Sequence, residues 1–281
     1  MIRLAEGGDH AQLKALWTAV FGDTPEAVDA YFSLRHRDED MLVWAENGRI
    51  DGMLSMLPLE LILNKKEYPA RYVYAVATAP TQRNRGIAGL LLERAGELIA
   101  ERGEAAAVLV PASASLFDYY AKRGFRTAFS LNVADFDARA LPPCPDGQLA
   151  DCSSGEYARI RDRAFAGSGL YARWDERAVG YALHYSLGDG GAARLILNDG
   201  EGAVCWTRTG CGVLVRELAL VGIDVPFALA LLHRKLGALS YRARLPAGAI
   251  PKADIAPFGM IRWFAPEPAV DGPGYLSLAL D

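Results

Sequence analysis

Between Thr78 and Leu90 the chain reads Ala79-Pro80-Thr81-Gln82-Arg83-Asn84-Arg85-Gly86-Ile87-Ala88-Gly89, a polar stretch rich in arginine and glycine. Those residue types suit an anion cradle. A helix that opens at Gly86 presents unpaired first-turn N–H groups and the positive end of its dipole. Gly86 and Ala88 let backbone come close to a phosphate. Arg83 and Arg85 can add charge-assisted contacts to phosphate oxygens. The pattern Gly-x4-Gly-Lys-Ser/Thr is absent, which argues against nucleotide hydrolysis. Gly-x-Gly-x-x-Gly is absent as well, so a dinucleotide fold is not indicated.

The other reactive residue types point to less. Cys144 and Cys152 have seven residues between them, Cys205 and Cys211 five. None forms a Cys-x2-Cys pair and the histidines are scattered, so no metal site is expected, and reduced thiols of a cytoplasmic protein are. Gly188-Asp189-Gly190-Gly191-Ala192-Ala193 spells Gly-x-Gly-x-x-Ala but follows a helix and precedes a strand, the reverse of a dinucleotide turn, and reads as a connecting loop. His184 and His233 read as packed or surface residues, Trp44 and Trp174 as core or interface anchors. Arg35-His36-Arg37-Asp38-Glu39-Asp40 reads as a solvated loop of mixed charge.

The cradle needs a strand before it and a helix after it, and the periodicity supplies both. Arg71–Thr78 reads as a buried strand. Ile87, Leu90, Leu91, Ala95, Leu98 and Ile99 mark one face of a long helix that Gly103 stops. Upstream, Ile2–Leu4 opens a strand and Asp9 caps a helix carrying Leu13, Leu16, Trp17 and Val20. Thr24 and Pro25 start a second helix. Met41–Glu46 and Arg49–Leu63 flank the Asn47-Gly48 hairpin signal, with a kink expected at Pro58. Downstream come a strand over Ala106–Val110, a helix over Ser115–Arg123, and a further strand. The order is an α/β layer of hairpins followed by a βαβ crossover.

Leu141-Pro142-Pro143-Cys144-Pro145-Asp146-Gly147 is the clearest linker, and beyond it the same order recurs. Helices are expected over Ser154–Ala166 and Trp174–Tyr185, and a hairpin at Asp199-Gly200. Strands follow over Val213–Leu220, Ser240–Leu245, Met260–Phe264 and Tyr275–Leu280, with a helix over Pro226–Lys235. In this second copy Leu220-Val221-Gly222-Ile223-Asp224 replaces the long Arg/Gly loop. A chain of 281 residues, 51% hydrophobic and 23% charged, is large enough for two domains and excludes global disorder. Thirty Lys and Arg against 34 Asp and Glu leave a net charge of −4, with no basic surplus for broad nucleic-acid binding. Neither a signal peptide nor a membrane-spanning run is expected from the residue pattern.

Arg83-Asn84-Arg85-Gly86-Ile87-Ala88 is similar to the [Arg/Gln]-x-x-Gly-x-[Gly/Ala] signature of the GNAT superfamily of N-acetyltransferases, in the same strand–loop–helix context. Phe117-Asp118-Tyr119-Tyr120-Ala121-Lys122-Arg123-Gly124-Phe125 resembles that family's Tyr-x-Lys-x-Gly-Phe ending. The resemblance covers roughly residues 1–136. The two-copy layout further resembles the enhanced-intracellular-survival branch, although that branch usually carries a third, sterol-carrier-like domain for which this chain is too short. The resemblance implies two GNAT-like mixed-sheet α/β domains in tandem. Residues 1–138 would be catalytic, 139–150 a linker, and 151–281 a degenerate copy that walls the acceptor cleft.

In that family acetyl-CoA lies in a split between the central strand and the next. Carried over residue by residue, Val76, Ala77 and Thr78 would line the pantetheine, with an amide near Val76 polarising the thioester carbonyl. Arg83, Asn84, Arg85, Gly86, Ile87, Ala88 and Gly89 would hold the pyrophosphate. Tyr120 matches the usual acid for the departing thiolate, a phenol still protonated at neutral pH; a core tyrosine with a satisfied hydroxyl is the other reading. The attacking amine needs a base, for which the resemblance offers two candidates, Glu60 before the turn and the carboxylate of Asp281. In relatives the segment that Arg35–Asp40 occupies borders the acceptor pocket. The implied activity is transfer of an acetyl group to a primary amine, on a small molecule or a peptide. The acceptor stays open, as does oligomeric state, a homodimer included. A CoA-binding sensor or scaffold that transfers nothing is the alternative.

Overall fold

The computed structural model describes every residue except Leu187, Asn198, Asp199, Cys211, Lys252, Leu280 and Asp281. The first half runs β1 (Ile2–Leu4), α1 (His10–Phe21), α2 (Pro25–Leu34), β2 (Met41–Glu46), β3 (Arg49–Leu63), β4 (Lys66–Thr78), α3 (Ile87–Glu101), β5 (Ala106–Leu109), α4 (Ala114–Ala121) and β6 (Arg126–Asp137). The second half runs β7 (Gln148–Ala150), α5 (Ser154–Phe165), β8 (Leu170–Arg173), α6 (Glu176–Ser186), β9 (Gly190–Leu197), β10 (Gly200–Thr209), β11 (Gly212–Val221), α7 (Val225–Leu236), β12 (Ser240–Pro246) and β13 (Ile255–Trp263).

Local chemistry accounts for most boundaries. Thr24 accepts from the Ala27 amide and Pro25 begins α2. Asn47 and Gly48 both take positive φ, as do Asn64 and Lys65, closing the β2–β3 and β3–β4 hairpins. Asp9 departs from its expected role. Its carboxylate makes no cap bond to α1 but accepts from the Arg3 guanidinium and the Glu6 amide, stapling the turn before the helix to β1. At Pro58, where a kink is expected, β3 stays in register with β4, Pro58 facing Arg71. On its other side β3 pairs β2 as far as Ser55 and β8 from Glu60 onward, so Pro58 falls in a gap where no outer strand runs.

The strands form one mixed sheet in the order β1-β2-β3-β4-β5-β13-β6-β12-β11-β10-β9-β7, with β8 added on β3. Two pairs in it are parallel, β4 with β5 and β11 with β12, each joined by a helical crossover, α3 or α7. The chain weaves between its halves: β13 lies between β5 and β6, and β6 also pairs β12. The largest core likewise draws on both, joining Leu13, Trp17 and Tyr31 of α1 and α2 to Tyr157, Ile160, Trp174 and Tyr181. A second core packs α3 and α4 on the opposite face, and a third lies under α7.

Two expectations change here. The strand expected over Tyr275–Leu280 is not formed by its described residues; Gly274 and Tyr275 make single parallel bridges, to Phe129 and Tyr171. Leu280 and Asp281 lie outside the described residues, as does Asp199 of the expected β9–β10 hairpin. The run Arg35–Asp40 is not a solvated loop, because Arg35, His36 and Asp40 are all buried. Their burial is offset by partners. The Arg35 guanidinium donates to the Pro58 carbonyl, Asp40 accepts from Arg71 at 2.5 Å, and Arg177 of α6 donates to the Leu34 and His36 carbonyls.

Candidate active site

Strands β4 and β5 pair only from Ala70 to Tyr72. Beyond Tyr72 the two part, and β4 runs on to Thr78 with its β5-facing edge open among the described residues. Within this open stretch β4 bulges. Between the pairs Ser55↔Tyr74 and Met53↔Ala77, β3 has one residue, Leu54, and β4 has two, Ala75 and Val76. Ala75 takes φ +50°, a left-handed conformation that an alanine adopts at a cost. A bulge breaks the alternation of the ladder and re-aims the backbone of Val76.

The loop that follows is short and strained in the same sense. The Ala79 amide donates to the Asp51 carbonyl, Pro80–Gln82 makes a single 3-10 turn, and Asn84 and Gly86 have φ of +66° and +79°. Gly86 is the N-cap of α3, no side chain caps that helix, and the side chains of Arg83, Asn84 and Arg85 are exposed beside it. Arg85 donates to Gln82 and lies 3.6 Å from Glu46. The helix start is brought down onto the strand by Gly52, whose place in register is opposite Thr78. A Cβ there would lie 2.6 Å from Ile87 Cγ2, so only glycine allows this approach. At the strand end Thr78 Oγ1 is buried without a hydrogen-bond partner. An open strand edge, a bulge, an unpartnered hydroxyl and uncapped amides thus follow one another from Tyr72 to Gly89. That sequence of donors fits an elongated thioester with a phosphorylated tail.

Tyr120 projects from α4 into the core that also holds Ile87 and Leu91 of α3, in ring contact with Tyr119 and Phe125. Burial, with a smaller push from Tyr119, raises its phenol to about 12, so it stays protonated and able to donate. The sequence reading passed over its neighbour Arg123. This guanidinium lies 3.6 Å from the Tyr119 ring, donates to the Tyr119 carbonyl, and stands 3.1 Å from where a Gly89 Cβ would be. It is a third cation at the first turn of α3. Its place at the end of α4, just before Gly124, is the signal that could have found it.

On the other face of β4 an aromatic wall crosses between the halves. Tyr74 stacks on Tyr72 at 5.9 Å and lies 5.9 Å from Tyr31, which meets Trp17 at 4.5 Å and Tyr181 of α6 at 5.7 Å. The Tyr31 hydroxyl bonds Ser55 at 2.8 Å, beside the bulge. Burial pushes the Tyr31 phenol up to about 12 and the Tyr74 phenol higher still. Trp174, 5.3 Å from Tyr72, donates to the Ser277 carbonyl at 2.7 Å, and Arg216 of β11 donates to the Ala279 carbonyl at 3.3 Å. The last described residues therefore run along this wall.

The two base candidates fare differently. Glu60 sits opposite Pro69, five residues along β3 from Ser55, roughly 17 Å at the usual rise. Its carboxylate is ion-paired with Arg173 of β8. Asp281 lies outside the described residues. In the second half the same parallel pair recurs with the same kind of bulge, at Arg216 between Trp206↔Val215 and Cys205↔Glu217. There, however, Glu217 and Arg161 of α5 form a fully buried ion pair at 2.9 Å, and α7 starts almost directly after β11.

Residues 1–128 match the family model described as the acetyltransferase (GNAT) domain. No curated protein matches. Among solved structures, the chain is similar to a GCN5-related N-acetyltransferase from Anabaena variabilis, with a TM-score of 0.77 at 16% identity, covering 93% of this chain and 72% of that one. A conserved protein of unknown function from Enterococcus faecalis, titled a probable N-acyltransferase, aligns with a TM-score of 0.74 at 16% identity, covering 94% and 72%. Eis1 from Mycobacterium abscessus aligns with a TM-score of 0.69 at 19% identity, covering 94% and 73%.

Proposed function

We propose that this chain, whose residues 1–128 match the GNAT acetyltransferase domain model, is an acyltransferase that moves an acetyl group from acetyl-CoA to a primary amine by direct attack on the thioester. The observation that carries this reading is the bulge at Ala75 and Val76, at the mouth of the β4–β5 split and one loop before an uncapped helix start. The open edge of β4 pairs with the pantetheine, and Val76 N–H, re-aimed by the bulge, donates to the carbonyl oxygen as charge builds on it. Ala77 and Thr78 continue that edge. The amides of Ile87, Ala88 and Gly89, with Arg83, Asn84, Arg85 and Gly86, hold the pyrophosphate, and Arg123 adds a cation beside Gly89.

The amine nitrogen attacks the thioester carbon, the C–N bond forms, and the C–S bond breaks. Tyr120 gives its proton to the departing thiolate. The proton lost from the attacking amine goes to a carboxylate base, for which Asp281, outside the described residues, is the candidate. Glu60 joins the halves through Arg173 and takes no part. Residues 151–281 supply the far wall of the acceptor cleft through Tyr181, and keep no cradle of their own because α7 follows β11 after three residues with no Arg/Gly loop between them.

Thiol release from acetyl-CoA over a panel of primary amines tests this. Turnover should fall about 10²- to 10³-fold in Tyr120→Phe with acetyl-CoA affinity within about twofold of the parent. Tight acetyl-CoA binding with no release on any amine would favour a CoA-binding sensor. Unchanged turnover in Tyr120→Phe would remove the acid role.

A further inference from the structure

Far apart in kind from the acyl-CoA machinery, His36 and Asp38 of the segment before β2 meet His10 at the start of α1. His10 Nε2 and His36 Nε2 each lie 2.7 Å from the same oxygen of Asp38. The three ligand atoms are all within 4.8 Å of one another, and the two imidazoles pack edge to face at 5.0 Å.

Each is held from behind. His10 is the first residue of α1, directly after Asp9, which is gripped by Arg3 at 2.6 and 2.9 Å. The His36 amide donates to the Tyr31 carbonyl, its carbonyl accepts from Arg177, and its ring lies 4.6 Å from Phe32. Asp38 opens the 3-10 turn that leads into β2. The His36 ring is buried, whereas the His10 and Asp38 side chains are 40% and 36% exposed, so solvent reaches the cluster from one side. Two imidazole nitrogens and a carboxylate oxygen are the donor set of borderline metals such as Zn²⁺ and Co²⁺, unlike the all-oxygen sets of Mg²⁺ and Ca²⁺. Metal bonds of about 2.0–2.2 Å would spread the three atoms to about 3.3 Å apart. The two N···O separations would open slightly from 2.7 Å, and the two exposed side chains can supply that movement. Without an ion, one carboxylate oxygen must serve two N–H donors.

We propose that His10, His36 and Asp38 bind one divalent transition-metal ion of zinc's class, with water in the remaining open position. The ion ties the start of α1 to the segment between α2 and β2, which Arg177 already links to the second half. None of its ligands belongs to the residues assigned to acyl transfer.

Tag-free protein is loaded with Zn²⁺ or Co²⁺, exchanged into metal-free buffer and analysed by atomic emission, Co²⁺ visible absorption and thermal unfolding. One ion per chain is expected, with a rise in Tm on loading. Affinity should fall roughly tenfold or more in each of His10→Ala, His36→Gln and Asp38→Asn. Cys152→Ser and His184→Ala should bind as the parent does. His10 is part exposed, so His10→Ala should fold with an apo Tm close to the parent's and lose only the metal-induced rise. Retention of no metal by the parent, or equal retention by His10→Ala and Asp38→Asn, overturns the proposal.

Discussion

Gly52 is the point at which β3 lets α3 come close, and Gly52→Ala measures what that closeness is worth. The added Cβ would sit 2.6 Å from Ile87 Cγ2, 3.2 Å from Leu91 Cδ1 and 3.3 Å from Trp44 Cβ, where ordinary contacts are 3.4–4 Å. Relief therefore needs a shift of about 1 Å. Ile87 is β-branched and its rotamer is nearly fixed in a helix, so the side chain cannot swing aside cheaply. The first turn of α3 must lift instead. Overpacking of this kind costs about 1–3 kcal/mol, which should lower Tm by a few degrees. A 1 Å lift also takes the amides of Ile87, Ala88 and Gly89 from hydrogen-bond distance to beyond it. Losing one or two charge-assisted bonds, each about 1.5–3 kcal/mol, weakens acetyl-CoA by roughly ten- to a hundredfold or more. Calorimetric titration with acetyl-CoA reads this directly. Pairing Gly52→Ala with Ile87→Ala removes the clash and should restore much of the lost affinity, so the two changes should be non-additive. A Gly52→Ala protein that loses Tm but binds acetyl-CoA as the parent does would refute the claim that this glycine sets the cradle.

Two further outcomes follow from the buried groups. Because burial raises the Tyr120 phenol to about 12, the acid should stay loaded through the region near pH 10 where a free phenol ionises. Rapid-mixing measurements of kcat should therefore show no alkaline loss from this group until well above that region; a fall centred near 10 would mean that a different acid acts. Removing one partner of the buried Arg161–Glu217 pair, as in Glu217→Gln, should cost about 3–5 kcal/mol in urea unfolding. Replacing both with apolar residues of similar volume should cost far less, and equal losses would show that the charges themselves support the fold.

The sequence by itself determined most of the elements. Apolar spacing at 3.6 and 2 residues marks α3 and β4, Asn47-Gly48 marks a tight hairpin, and the composition of Arg83 to Gly89 is what suggests an anion cradle. These are local signals, set by backbone propensity within a few residues. What the tertiary structure decided is everything that depends on partners far along the chain. The buried state of Arg35, His36 and Asp40 rests on Pro58, Arg71 and Arg177, so a run of charges that reads as solvated is core. Glu60 is drawn to Arg173 of β8, a strand that its own four residues do not announce. The bulge at Ala75 arises from a mismatch of register between β3 and β4, and Ala75 carries no residue-type mark of positive φ. The insertion of β13 between β5 and β6, and the meeting of His10 with His36 and Asp38, likewise depend on which distant segments pack together. Periodicity in a sequence says which face of an element is apolar. Only the assembled sheet says what that face meets.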